Sequence, residues 1–471
     1  MTLFTLTTRL SFLAMLALLT QLTLADDAVE LPSVTVIGQQ TTSLGIQHIS
    51  GNEIRQYSPD LASFIRRLQG LQVQSSGGLG DPVMVSVRGA SAVQTRLLIN
   101  GVEQNTSSGG GYDLNAIPLS MIERVEIVQS GSHQGGEDSA IGGSINIITQ
   151  QADRPSHVQA GLGSYGYREF SARAASIVGV NEWSLQGHTE RTLNNYSMPT
   201  PAPWFGDPAG TEEPLNNAQY FRHNVIAQWQ REDVSSQLHW SRQNKHIPDY
   251  FRNAPPNRAH LSKRQWGINT GNLNAPEPTQ DGLHWRWQLS HQDTFEKYRD
   301  PEGYIGLNDD DNRYHTQHSE ITVTPQWRTA DWQFNAGFSG AFDQYQSRFV
   351  NDPDASVCST PVGGCNLTAQ QQKIKVRLGS RWAFHPAWHA QLQGYQEWFG
   401  SQQRRTEAEP SQKQSNQQAF TGGSAAIGHS HNTRQLELSL RRSVRIPSLY
   451  ERFGDRGLLL GNDDLKPEIA D

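Results

Sequence analysis

The two cysteines of the chain, Cys358 and Cys365, are the residues whose chemistry is most readily interpreted. They stand in a segment that also contains the turn-forming residues Pro361, Gly363 and Gly364. Two thiols this close in sequence can close a small disulfide loop in an oxidising compartment. Zinc binding is the alternative, but two thiolates with no histidine between them make a poor zinc site. We therefore predict a disulfide between Cys358 and Cys365.

The other residues with catalytic or metal-binding potential are scattered through the chain. The 16 histidines form no cluster with cysteines, and no paired-carboxylate, Ser/His/Asp or metal constellation stands out. We predict no catalytic residues, no metal site and no cofactor, and hence a protein that is not an enzyme. The formal net charge of −7 argues against a nucleic-acid binder, whose footprint is basic.

The amino terminus has the pattern of a secretion signal over residues 1–25. Arg9 supplies the positive charge, Leu10 to Leu19 supply an apolar stretch, and small residues precede the predicted cleavage after Ala25. A membrane helix is the alternative, but the apolar stretch is shorter than the ~20 residues that a span needs. Export from the cytoplasm agrees with the predicted disulfide.

The stretch from Asp81 to Thr149 has an unusual order of short strand patterns. Alternating apolar residues in Val83–Val87 precede Arg88-Gly89, and an Asn100-Gly101 turn follows three apolar residues. An Ile-Glu-Arg-Val-Glu-Ile-Val segment begins at Ile122, and Gly142-Gly143 leads into a final apolar strand. A small soluble α/β domain is one reading of these patterns. A helix is predicted over Ser58–Gly70, with Ser58 as its cap, and a short helical turn at Pro118.

The order of these motifs resembles the plug domain of TonB-dependent outer-membrane receptors. The resemblance implies a plug of mixed strands and short helices over residues 46–152, in which Arg88 and Arg124 contact the barrel. It also implies that Val34, Thr35, Val36 and Ile37 form a TonB box within a linker over residues 26–45. The energy-transducing periplasmic protein TonB would capture this box by strand addition. Asn100 departs from the family, which often has Asp there.

From about Pro155 the pattern changes to long alternating strands, assigned to a β-barrel over residues 153–471. Trp285, Trp287 and Leu289 alternate with polar residues, as do Leu436, Leu438 and Leu440. An apolar face toward lipid and a polar face toward a lumen is typical of a transmembrane barrel. Arg445 to Glu451 and Gly461 to Glu468 resemble a barrel signature of the same receptors.

The predicted fold class is therefore a transmembrane antiparallel β-barrel with an α/β plug in its lumen. Such barrels have about 22 strands, and we count roughly 13 candidate strands here, so we expect a receptor truncated at its carboxy terminus. The resemblance implies active uptake across the outer membrane of a Gram-negative bacterium. Its partners would be TonB, outer-membrane lipid and a small metal chelate, most often a ferric siderophore. A cobalamin or corrinoid receptor, a non-functional truncated fragment and a signalling receptor are the alternatives, and the ligand-binding residues are unknown.

Overall fold

The computed structural model describes residues 46–75, 78–104, 113–128, 141–199, 212–250, 253, 256–273, 275, 279–305, 310–350, 366–405, 414–431, 434–453, 462 and 464–471. The predicted signal peptide, the TonB box and the two cysteines lie outside these residues. No helix in the described part of the chain has both the length and the apolar character needed to cross a membrane.

The amino-terminal elements form a small α/β unit, which we call the plug (residues 46–152). Its elements are β1 (Ile46–Ser50), α1 (Gly51–Tyr57), α2 (Leu61–Ile65), β2 (Leu71–Ser75), β3 (Val83–Val87), β4 (Thr95–Ile99), β5 (Val102–Glu103), β6 (Ile122–Val128) and β7 (Gly143–Thr149), with single 3-10 turns at Ala92–Gln94, Leu114–Ala116 and Leu119–Met121. One five-stranded sheet has the order β1-β6-β7-β4-β5, and β2 pairs with β3. Strands β4 and β7 are parallel, and the other pairs are antiparallel.

The helix predicted over Ser58–Gly70 is shorter than expected. Helix α2 begins at Leu61 because the side chain of Asp60, not Ser58, accepts the hydrogen bond from the backbone of Ser63. Ser58 instead ends α1, a helix that the sequence patterns did not indicate. The predicted short helical turn after Pro118 is present, and so is the Asn100-Gly101 hairpin turn, with φ of 51° and 79°.

An apolar core fills the plug. Its members are Ile49, Ile54, Leu61, Ala62, Phe64, Ile65, Leu71, Val83, Val85, Val87, Leu97, Leu114, Ile122, Val125, Ile127, Ile145 and Ile147. Among the described residues, this cluster draws on the plug alone. The plug is therefore held together by its own buried apolar surface, which is the dominant stabilising term of a folded domain.

The rest of the chain forms long antiparallel strands. They are β8 (His157–Leu162), β9 (Arg168–Val178), β10 (Asn181–Thr192), β11 (Ser197–Pro199), β12 (Glu212–Pro214), β13 (Tyr220–Arg231), β14 (Val234–His246), β15 (His260–Gly271), β16 (Gly282–Asp300), β17 (Asp310–Arg328), β18 (Trp332–Phe349), β19 (Leu367–His385), β20 (Trp388–Arg405), β21 (Gln414–His431), β22 (Arg434–Arg445) and β23 (Glu468–Ala470), with helix α3 (Leu449–Phe453). Within the described residues, fourteen of them join in one sheet from β8 to β23, one more than the count from sequence, and β11 pairs with β12.

The alternation predicted from the sequence is present in this sheet. On β22, Leu436, Leu438 and Leu440 are 69%, 70% and 76% exposed. Such exposure is expected of side chains that face lipid in a transmembrane barrel. On β14 and β16, the polar side chains of Gln237 and Gln288 face the opposite way and are buried. We call this inward polar face the wall.

The two ends of the sheet differ. Short turns join β9 to β10, β13 to β14, β17 to β18, β19 to β20 and β21 to β22, whereas most connections at the other end are longer. The connection from β15 to β16 is also long, although it lies at the short-turn end. Outer-membrane barrels have short periplasmic turns and longer extracellular loops. The end with the longer connections is therefore the extracellular one.

Candidate functional site: the interface between plug and wall

The turn between β4 and β5 is bound by three wall strands through one residue. The backbone carbonyl of Asn100 accepts hydrogen bonds from Gln288 Nε2 at 2.8 Å and from Asn269 Nδ2 at 3.3 Å. The side-chain Nδ2 of Asn100 donates to Oε1 of Gln237. Strands β14, β15 and β16 thus hold the tip of the hairpin, and the strained left-handed turn presents its carbonyl to them.

A second contact lies toward the extracellular end, where residues 78–82 of the plug meet the wall. Lys245 Nζ is 3.4 Å from Asp81 Oδ2 and 3.3 Å from the carbonyl oxygen of Leu79. Asn194 Nδ2 donates to the same carbonyl at 2.8 Å. Gly80 has φ of +90°, and a Cβ there would lie 2.3 Å from the ring of Tyr220. A glycine is therefore required for this segment to approach the wall.

Arg222 of β13 forms a third contact. Its guanidinium donates to the backbone carbonyl of Asn115 and pairs with Glu190 at 2.7 Å. Close by, burial raises the pKa of the Asp113 carboxyl, although Arg222 and the backbone N–H groups of Asn115 and Val83 oppose this effect. The site combines a buried carboxyl of the plug with a cation of the wall.

The hairpin of β4 and β5 also carries charged side chains that interact with the wall. Arg96 Nη2 pairs with Glu103 Oε2 at 3.2 Å within the plug. Burial alone would raise the pKa of the Glu103 carboxyl, but Arg96 together with Lys373 and His318 of the wall outweighs burial and lowers it. Glu103 therefore remains ionised, and part of the attraction comes from Lys373 and His318 of the wall, both of which are also paired with Asp343.

The carboxy-terminal signature folds into a compact ion-pair cluster. Arg445 pairs with Glu451 and with Glu468, with nitrogen–oxygen distances of 2.9 Å to each. Ser448 caps the start of α3 and also donates its backbone N–H to Glu451 at 2.8 Å. Glu468 in turn accepts a hydrogen bond from Gln94 of the plug at 2.9 Å. The signature residues thus brace a wall segment against the plug.

The two arginines that the sequence singled out, Arg88 and Arg124, both have contacts within the plug. Arg88 is exposed, with φ of 53° at the end of β3, and its backbone N–H donates to Gly70. Arg124 pairs at 2.8 Å with Glu126, which lies on the same plug strand. The contact of Arg88 and Arg124 with a barrel remains a prediction, as do the TonB-binding role of Val34 to Ile37 and the disulfide.

The wall carries a group of potential metal ligands whose carboxylates have protein partners. Within the described residues, the ligand atoms of Glu169, His188 and Glu190 lie within 4.8 Å of one another. Tyr167 donates its hydroxyl to Glu169 at 2.8 Å, and Glu190 is paired with Arg222. Both carboxylates therefore have protein partners, and Nε2 of the buried His188 lies 3.5 Å from Glu190 Oε2.

The wall residues that bind the plug were not identified from sequence. They include Gln186, which donates to the backbone carbonyl of Ser120 at 2.8 Å, as well as Arg222, Gln237 and Gln288. In the sequence these residues are visible only as the polar half of an alternating strand. That alternation shows that they point inward. It does not show which of them stand opposite the plug, because this depends on the register of distant strands.

Comparison with known proteins agrees with this architecture. Residues 38–144 match a family model described as TonB-dependent Receptor Plug Domain. The vitamin B12 transporter BtuB of Vibrio cholerae serotype O1 is 34% identical over 142 residues, which are 30% of this chain and 23% of the relative. BtuB of Photobacterium profundum is 37% identical over 125 residues, 26% of this chain and 20% of that protein. The chain thus matches less than a quarter of the length of these relatives.

Solved structures show the same fold over a larger part of the chain. The copper transporter OprC superposes with a TM-score of 0.65 at 13% identity, covering 91% of this chain and 68% of that one. The siderophore receptor PiuA from Acinetobacter baumannii superposes with a TM-score of 0.60 at 14% identity, covering 90% of this chain and 68% of that one. The fold is that of the TonB-dependent outer-membrane receptors, as the motifs predicted. The outer membrane is the location of this chain.

Proposed function

We propose that this chain acts in the active uptake of a metal chelate through the outer membrane, without catalysing a reaction. A ligand bound at the extracellular end would be released inward when TonB pulls on Val34 to Ile37 and the plug yields. The single observation that supports this is the contrast between the two kinds of contact around the plug. The plug is held together by an apolar core of its own, whereas the contacts described above between plug and wall are hydrogen bonds and ion pairs.

This contrast matters because the two kinds of contact respond differently to displacement. Exposed apolar surface costs free energy in proportion to its area. Polar groups released from each other bond to water instead, so a typical hydrogen bond contributes only about 1 kcal/mol net. A cavity of about 60 Å³ also lies between Ile99 of the plug and wall residues such as His239. A plug of this kind can shift against the wall while its own core stays intact.

Two ligand classes are candidates. A ferric siderophore is the ligand that the resemblance to the receptor family implies. A corrinoid is favoured by the identity to the vitamin B12 transporters, which falls on a segment of 142 residues. Uptake of labelled ferric siderophores and of labelled cobalamin, in cells that depend on this chain, distinguishes them.

The Val36→Pro variant tests the mechanism in the same cells. Proline lacks the backbone N–H that strand addition by TonB requires. We expect this variant to bind ligand at the cell surface but to lose energy-dependent uptake, whereas Thr41→Pro, outside the predicted box, keeps it. Cells that bind neither ligand would show the proposal to be wrong, and unchanged uptake by Val36→Pro would refute the role of the box.

A further inference from the structure

The outward face of the sheet carries a basic patch that the uptake function does not use. Strand periodicity places Arg242 on the same face as the exposed Leu238 and Trp240, and Arg264 on the same face as Trp266. By the same rule Lys297, Arg313 and Arg348 face outward on β16, β17 and β18. We call Arg242, Arg264, Lys297, Arg313 and Arg348 the outward basic patch.

The members of this patch stand directly opposite one another across neighbouring strands. Arg242 is the register partner of Arg264, Lys297 is the partner of Arg313, and Arg313 is the partner of Arg348. Like charges directly opposite in a sheet are destabilising. Three such pairs side by side carry a free-energy cost that an anionic partner would remove.

Few carboxylates offset this charge. Asp311 lies 3.0 Å from Lys297 and 3.9 Å from Arg313, but it also pairs with Arg299 at 3.4 Å. In the described part of the chain, no ion pair joins Arg242, Arg264 or Arg348 to a carboxylate. Among the described residues, the positive charges of the patch therefore outnumber the carboxylates paired with them.

The position of the patch along the strands indicates its depth in the membrane. Arg242 lies two residues beyond Trp240 toward the extracellular end of β14, and Arg264 lies two residues beyond Trp266 in the same direction on β15. Two residues of a strand span about 7 Å. The patch thus begins immediately above the aromatic edge of the apolar band, at the depth of the outer-leaflet headgroups.

The patch surrounds a groove of about 650 Å³. This is the size of a small-molecule site and far larger than a single inorganic anion needs. Its lining includes Phe295 and His315, whose rings stack with centroids 4.0 Å apart, and the carboxylate of Glu296. A cationic groove with an aromatic floor suits a ligand that has both anionic and apolar parts.

We infer that this groove binds the phosphorylated headgroup of an outer-leaflet lipid. Arginine guanidinium groups bind phosphate oxygens through two parallel hydrogen bonds, and this geometry is specific for such anions. The lipid phosphates would neutralise the opposed pairs, and the sugar or acyl region would lie against Phe295. The bound lipid would thereby stabilise strands β14 to β18 at the extracellular edge of the sheet.

The test uses the full chain, isolated from outer membranes and placed in phosphatidylcholine nanodiscs. Binding of lipid A with two phosphates is compared with that of monophosphorylated lipid A, and inorganic phosphate is added as a competitor. The variant Arg242→Gln/Arg264→Gln is compared with Arg231→Gln/Arg434→Gln, a matched pair of exposed arginines at the short-turn end.

We expect the doubly phosphorylated lipid to bind more tightly than the monophosphorylated one, with an affinity that falls as salt is added. Each arginine removed from the patch should weaken binding about fivefold, and the control pair should have no effect. Equal affinity of the patch variant and the parent chain would overturn the inference. So would complete displacement by millimolar inorganic phosphate, which would indicate a site for free anions. The phosphate and salt comparisons require no variant and hold even if a variant fails to fold.

Discussion

The side chain of Asn100 binds Thr149 in both directions: its Nδ2 donates to Oγ1 at 2.8 Å, and its Oδ1 accepts from the backbone N–H at 2.9 Å. The same Nδ2 also donates to Gln237 of the wall. An amide at this position therefore links the hairpin turn, the end of β7 and the wall. A carboxylate could still accept the bond from the Thr149 N–H, but it could not donate to Thr149 Oγ1 or to Gln237 Oε1.

We predict that Asn100→Asp weakens the attachment of the hairpin. Asp tolerates the left-handed backbone as Asn does, so the change affects the hydrogen bonds rather than the turn. Buried acceptors left without a donor cost about 1–3 kcal/mol. Hydrogen exchange at residues 95–103, measured as a function of urea concentration, reports the loss of stability of the hairpin. The exposed Asn52→Asp variant is the control, and equal protection in both variants would contradict the prediction.

The pair of Lys245 and Asp81 predicts a second effect, at the extracellular end of the plug. Lys245→Met keeps the apolar stem but removes the donor to the Leu79 carbonyl and the partner of Asp81. We expect faster hydrogen exchange at residues 78–82, by about tenfold for a loss of ~1.4 kcal/mol. Lys466→Met changes an exposed lysine and should leave that segment unaffected. Slower or unchanged exchange in Lys245→Met would show that other contacts, such as those of Asn194 and Tyr250, are sufficient to hold the segment.

The stability of the carboxy-terminal ion-pair cluster of Arg445, Glu451 and Glu468 should depend on pH. Burial alone would raise the pKa of Glu451, but the hydrogen bonds from Arg445 and Ser448 outweigh it and lower the pKa. A carboxyl with a lowered folded-state pKa contributes stability above its unfolded value, about 4.3, and loses it as the pH falls through the folded value. We expect hydrogen-exchange protection of Leu449–Phe453 to decrease as the pH is lowered below about 4.

The matched variant for this prediction is Glu451→Gln. It keeps the shape of the side chain but cannot titrate, so it should start with weaker protection and show a smaller decrease on acidification. Exchange rates are corrected for the intrinsic effect of pH on amide exchange. A decrease as steep as in the parent chain would assign the acid response to another group, such as Glu468.

The predicted disulfide has a direct chemical test. In the folded chain, a maleimide should label neither Cys358 nor Cys365 until a reductant is added, because a disulfide has no thiolate to react. The Cys358→Ser variant leaves Cys365 single and should be labelled without reduction. Labelling of the untreated parent chain at both cysteines would show that the bond is absent.

Much of the fold could be predicted because it depends on local patterns. Alternating Leu436, Leu438 and Leu440 specify a strand and its outward face, and Asn100-Gly101 specifies a turn, with no reference to distant residues. Helix α1 was missed because it is polar apart from residues such as Ile54, and so lacks an apolar stripe. The start of α2 was misplaced because both Ser58 and Asp60 are good caps, and only the folded backbone decides between them.

The interface could not be predicted from the same patterns. Gln94 and Glu468 are separated by most of the chain, and nothing near either residue indicates the other. Arg445, Glu451 and Glu468 could all be recognised as parts of a signature. That Arg445 forms ion pairs with both carboxylates follows only from the fold. Contacts of this kind depend on the curvature of the sheet and on where the plug settles within it.

The order of strands in the plug sheet has a mechanical consequence. Among the described residues, strand β1 lies at the edge of the plug sheet and pairs with β6 through the register from Ile46–Val128 to Ser50–Arg124. It is also the first described strand after the predicted TonB box, so tension applied at the box would load these few hydrogen bonds before those of the other described plug strands. If the pull runs across β1, the bonds would open one after another at low force. If it runs along β1, they would share the load. The direction of pulling would then decide whether the plug unravels from its edge or moves as one body.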